Sequence, residues 1–218
     1  MVLMKCVYCG INDGITKDHI PPRSLFSKPK PNNLITVPCC NDCNKRFKKD
    51  EDLFMGWVLF SEAGTKKEGK KIWEQKLNRT FEKDYGLKKQ IAKSFKIAEI
   101  FSPSGLYLGR RLISQIDPIR IENVIRKIVR GLFWFEYKEK ISLKSKIEII
   151  GIPKNSNNID TLIRNSICGS RFWEKIFEYR YLRKSKDTFE SIWIMSFYRE
   201  LYYIALIDMS DVLNNITK

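Results

Sequence analysis

Two short cysteine pairs, Cys6-Val7-Tyr8-Cys9 and Cys40-Asn41-Asp42-Cys43, constrain this chain more than any other feature. Each CxxC turns the backbone so that two thiols face one point. Four thiolates at one centre are the ligand set of a tetrahedral structural zinc site. One such pair alone would suit redox chemistry, but two pairs argue for a metal. Cys39, adjacent to Cys40, offers another fourth ligand; Cys40 is preferred because its spacing to Cys43 matches that of Cys6 to Cys9. Cys168, isolated beside Ile167 and near Phe172, reads as packing.

The segment between the pairs is too long for a bare zinc ribbon, so it must carry something. It contains Thr16-Lys17-Asp18-His19-Ile20-Pro21-Pro22-Arg23, with the only histidine among 218 residues. Asn12-Asp13-Gly14 signals a turn, and Ile15 to Ile20 predicts a short strand ending at the prolines. Leu34 to Val37 is a second β-branched run, and Asn41 to Lys49 can open a helix. A unit this small buries little core, so the metal must contribute folding energy directly.

In order along the chain, CVYCG, DHIPP, Asn33-Leu34 and CNDCN resemble the HNH endonucleases in their zinc-knuckle variety. The resemblance covers roughly residues 4 to 50. It implies a ββα-metal fold and metal-dependent hydrolysis of nucleic-acid phosphodiesters. On it, His19 is the general base that deprotonates the attacking water, and Asp18 and Asn44 are ligands of a catalytic Mg²⁺ or Mn²⁺. Asn33 holds the histidine loop by hydrogen bonding, and Zn²⁺ on Cys6, Cys9, Cys40 and Cys43 is structural. Oxygen ligands suit the hard catalytic ion and thiolates suit zinc. This chain departs from the family pattern in lacking glycines after the proline turn. It also has Asn44 where His is common, which makes it an H-N-N variant. Arg23, Lys45, Arg46, Lys48 and Lys49 lie close enough in sequence to grip phosphates.

The charge agrees with a polyanionic partner: 40 Lys+Arg against 25 Asp+Glu give +15, a field that draws nucleic acid, most simply DNA. No apolar run reaches the ~18 residues of a spanning helix, and MVLMKCVYCG turns to cysteine too soon for a signal peptide. The expectation is a soluble cytoplasmic protein without a membrane partner.

Beyond the second pair the pattern changes. Asp50 to Ala63 reads as a buried helix with Leu53, Trp57 and Phe60 inward, and Lys66 to Phe95 as a Lys-rich helical stretch broken near Asp84-Tyr85-Gly86. A strand is expected near Leu106 to Leu108. Pro118 to Lys140 is the strongest helix, with Ile121, Val124, Ile125, Ile128, Leu132 and Phe135 on one side and Arg120, Lys127 and Arg130 on the other. Lys146 to Ile152, Lys175 to Arg183, Phe189 to Tyr198 and Glu200 to Ile207 predict strands, and Ile159 to Ser166 a short helix. Trp134, Tyr179, Tyr181 and Trp193 read as core filling rather than base-stacking surfaces. No P-loop or Rossmann fingerprint is present.

The expected fold class is α+β. Residues 1–52 form a zinc-pinned ββα-metal (HNH) nuclease unit, and residues 53–218 an α+β domain with helices and an antiparallel sheet. That second domain would read the target, dock a protein partner or form a homodimer. The expected function is DNA cleavage, in defence or restriction. The rivals are a zinc-dependent nucleic-acid-binding module without catalysis and an RNA-directed or toxin-like nuclease.

Overall fold

The strands around the histidine follow from alternation. In Thr16–Ile20 (β1), Asp18 and Ile20 are buried while Lys17 is exposed and His19 half-buried. In Ile35–Cys39 (β2), Ile35, Val37 and Cys39 are the buried set. The two pair antiparallel, with His19 opposite Thr36 and Asp18 opposite Val37. The chain then enters a helix, Asn41–Phe60 (α1), at Cys40, whose sulfur accepts the Cys43 N–H at 3.5 Å. The computed structural model describes residues 4–77, 85–86, 89, 93–152, 169–173 and 175–209.

Helix α1 does not stop at Lys49. It is one helix of 20 residues whose C-terminal half buries Leu53, Phe54, Val58 and Leu59. The expected division between residues 52 and 53 falls inside it. One core cluster runs from Cys6 through Phe54 and Leu132 to Ile207. Trp57 and Phe60, expected inward, are partly buried against that cluster.

Short helices Glu62–Thr65 (α2) and Lys67–Ile72 (α3) follow. Of the helical stretch expected from Lys66 to Phe95, residues 78–84, 87–88 and 90–92 lie outside the described residues; at its end begins a strand, Phe95–Phe101 (β3), paired with Tyr107–Ser114 (β4). β3 alternates in sequence, but Ile97 and Phe101 stay exposed, so its apolar residues do not sort to one buried face.

Pro118–Tyr137 (α4) is the expected strong helix. Asp117 caps it through Ile119 N–H at 3.0 Å with Pro118 in the first turn, and Lys138 ends it in a left-handed conformation (φ 57°). One expectation for its faces fails. Lys127 is not on the solvent side: it is only 2% exposed, on the stripe of Val124 and Gly131 that packs inward. Gly131 is required there, because a Cβ would stand 2.6 Å from Ile20 Cγ1. Its absence lets α4 close onto β1.

The five remaining strands are Ile147–Ile152 (β5), Gly169–Trp173 (β6), Phe177–Arg183 (β7), Ser191–Phe197 (β8) and Leu201–Ile207 (β9). They form one antiparallel sheet in the order β5-β9-β8-β7-β6. β6 was not anticipated, and the short helix expected at Ile159 to Ser166, like Cys168, lies outside the described residues. Tyr179 and Trp193 are fully buried, as core filling demands. Tyr179 and Tyr181 donate to Glu136 of α4, tying sheet to helix. The chain is therefore α+β with antiparallel sheets and a four-cysteine cluster near its N-terminus. Among the described residues no helix is long and apolar enough to cross a membrane.

Candidate metal centre and the Asp18–His19 hairpin

The first cysteine pair forms a tight knuckle. Gly10 N–H bonds the Cys6 carbonyl at 2.9 Å, and Gly10 sits at φ +69°, a conformation glycine adopts freely. The second pair occupies the N-cap and first turn of α1. The sulfurs of Cys6, Cys9, Cys40 and Cys43 all lie within 4.8 Å of one another, and those of Cys9 and Cys40 are 3.9 Å apart. Four Zn–S bonds of ~2.3 Å at tetrahedral angles put sulfurs ~3.8 Å apart. The donor set therefore fits a zinc-sized ion.

Electrostatics help two of the four thiols. Burial opposes ionisation of Cys9, yet backbone N–H groups of Asn12 and Ile11 bring it down to about 6. The backbone N–H of Cys43 lowers Cys40. Cys39 stands outside the cluster: its thiol donates to the Cys40 carbonyl at 3.3 Å, and burial raises its pKa.

Asp18 and His19 face opposite sides of β1. His19 is half-buried, and its pKa is lowered by desolvation and then by the charge of Arg23, with Lys30 and Lys127 adding and Asp18 opposing. A neutral imidazole with free basicity results. Lys30 donates to the Arg23 carbonyl at 3.2 Å, so Arg23 and Lys30 form a small cationic rim beside the histidine. Lys30 was missed in the sequence; its place in the Lys-Pro-Lys-Pro run behind the histidine was the available signal.

Asp18 is buried among partners. Lys127 Nζ lies 2.9 Å from Oδ1 and 2.8 Å from Oδ2, and the Tyr8 hydroxyl donates to Oδ2. Lys127 also bridges to Glu51 of α1. Burial, then the Asp18 charge, holds the Tyr8 phenol well above its usual pKa, so it remains a donor. Sequence reasoning missed Lys127, although a lysine on the apolar stripe of a helix signals a buried partner.

Asn44, half-buried in the first turn of α1, points its amide at Thr16 Oγ1, 3.4 Å away. Thr16 and Asp18 share a face of β1, so Asn44 and Asp18 are on one side. Asn33 is exposed. Its backbone carbonyl accepts from Trp173 Nε1 at 3.3 Å, and among the described residues its side chain makes no hydrogen bond to the histidine loop. Arg23, Lys45, Arg46, Lys48 and Lys49 are all exposed.

Compared with protein-family models, curated proteins and solved structures, the chain matches none. Its residues carry the functional reading alone.

Proposed function

We propose that β1, β2 and the first half of α1 form an HNH-type site that hydrolyses phosphodiesters, with DNA as substrate and zinc on the four cysteines as structural support. The observation that supports this best is the state of His19. It is the chain's one histidine, accessible at the end of β1, with a lowered pKa and with Arg23 and Lys30 beside it. A neutral imidazole accepts a proton from water, and adjacent cations meet the charge that develops on phosphate.

Mg²⁺ or Mn²⁺ on Asp18 and Asn44 is the further element that the resemblance implies. Those side chains do not fit such an ion in their present contacts. Both Asp18 oxygens are bonded to Lys127, one also to Tyr8, and the Asn44 amide is turned to Thr16. Among the described residues the four cysteines are the one acidic or thiol cluster able to hold a metal. The same contacts favour a second reading, a nucleic-acid-binding module that does not cut.

Wild type and His19→Ala, each incubated with supercoiled plasmid, linear DNA, single-stranded DNA and RNA, with and without Mg²⁺ or Mn²⁺, separate the two. Loss of a general base costs on the order of a hundredfold to ten-thousandfold. Cleavage by wild type, lost in His19→Ala with zinc and affinity retained, supports the nuclease. Equal cleavage by both removes His19 from the chemistry. Tight binding without cleavage of any substrate leaves the silent module.

A further inference from the structure

Helix α4 turns Asn123, Arg126 and Arg130 toward Arg46 and Phe47 of α1, and between the helices lies a cavity of about 370 Å³. That size falls within the range of small-molecule sites, roughly 300–1,000 Å³. Tyr8 and Phe47 supply aromatic wall, their rings 4.9 Å apart and edge-on.

Most charges around this cavity are balanced. Arg126 pairs with Glu122 at 2.7 Å, Asp50 with Arg120 at 2.7 Å, and Lys127 with Asp18 and Glu51. Two are not: among the described residues neither Arg46 nor Arg130 has an ion-pair partner. Arg46 lies 4.9 Å over the Phe47 ring. Arg130 is half-buried and spends one nitrogen on the carbonyls of Ile141 and Ser142, at 3.1 and 3.3 Å. Asp208, the carboxylate that acts on it electrostatically, lies beyond ion-pair distance and accepts from Lys146 N–H at 2.8 Å. A partly desolvated guanidinium without an anion in direct contact is costly, and an arriving anion relieves that cost. Two guanidinium forks suit the geometry and charge of a phosphate monoester. The aromatic walls suit a base.

We propose that this cavity binds a nucleoside monophosphate. The phosphate lies between Arg46 and Arg130, the base rests against Phe47 and Tyr8, and the Asn123 amide meets the base edge. The ligand class rests on the reading of this protein as one that handles nucleic acid. The phosphate comes either from a free nucleotide or from the 5′-phosphorylated end of a strand. Tyr8 and Lys127 form the wall shared with Asp18, so an occupant touches the groups that hold Asp18 in place.

Calorimetric titration of the zinc-loaded full chain, without other divalent ions, tests this. The probes are deoxyadenosine monophosphate, deoxyadenosine, inorganic phosphate, and a short single strand with and without a 5′-phosphate. The monophosphate is expected at one site, at least about tenfold tighter than either nucleoside or phosphate alone, because charge-assisted bonds and stacking each add to affinity. Arg46→Ala and Arg130→Gln should each weaken it by about tenfold or more, and Lys184→Ala, on the distant β7–β8 turn, should not. Melting and zinc content check each fold, and exposed Arg46 decides should Arg130→Gln not fold. Binding of the phosphorylated strand alone assigns the site to strand ends; binding of the free monophosphate as well assigns it to the nucleotide. Absence of binding, wild-type affinity in Arg46→Ala, or inorganic phosphate binding as tightly as the nucleotide would overturn the proposal. No cleavage is measured, so its failure leaves the His19 chemistry standing. A chain that binds the nucleotide but cuts nothing has lost only the nuclease.

Discussion

At His19, burial and neighbouring cations act in the same direction and favour the neutral ring. Protonation blocks a general base, and a lowered pKa delays protonation to more acid pH. The cleavage rate should therefore stay flat through neutrality and fall only below the ordinary value of 6.5. A rate profile with its midpoint above 6.5 would mean that another group sets it. Lys127 is the opposite kind of residue, a cation held inside by Asp18 and Glu51. Lys127→Met keeps the shape and removes the charge, leaving buried Asp18 and half-buried Glu51 uncompensated, a loss of about 3–5 kcal/mol. Burial already raises the Glu51 pKa, so acid should neutralise Glu51 and recover part of the loss. Urea unfolding of both proteins at pH 7 and pH 5 reads this, and an equal difference at both pH values would contradict it.

At the scale of elements, the cysteine knuckles separate two neighbouring cysteines by place: Cys40 lies in the four-sulfur cluster and Cys39 outside it. Cys40→Ser or Cys9→Ser should lose about one zinc per chain, together with the order of the hairpin, by metal analysis and circular dichroism. Cys39→Ser should keep the metal. Gly131 makes a finer test. In an open helix Gly→Ala gains about 1 kcal/mol, but here the new methyl meets fully buried Ile20 and overpacking costs about 1–3 kcal/mol. Gly131→Ala should be net destabilising by on the order of 1 kcal/mol; a stabilised variant would show that Ile20 yields. The elements legible in the sequence had short-range signals: Pro118 after Asp117, β-branched Ile35 to Val37, the apolar stripe of α4. β3 was not legible, because Ile97 and Phe101 face solvent and no turn or β-branched run sets it off from the Lys-rich sequence before it. Asp18 and His19 could be picked out from local order, whereas the Asp18–Lys127 contact joins residues 109 positions apart and no local pattern announces it.

For the whole molecule, the +15 charge would set how it meets a polyanion such as the proposed DNA substrate. Exposed Lys45, Lys48 and Lys49 on α1 add to Arg23 and Lys30 at the hairpin. The affinity for DNA should fall linearly in log–log form as salt rises, each phosphate contact releasing counterions. Fluorescence anisotropy from low to physiological salt reads the slope, and a flat line would assign the charge to another purpose. Composition made this field legible, but not the main core cluster, which α1 joins by continuing past Lys49. That continuity has a consequence for how such a chain changes over generations. A rod shared by the cysteine cluster and the interior leaves no seam at which a cassette could be cut out and spliced into another host. A break after Asp52 would halve the rod and bare Leu53, Phe54 and Val58. The C-terminal piece of such a cut would carry that apolar surface into solvent.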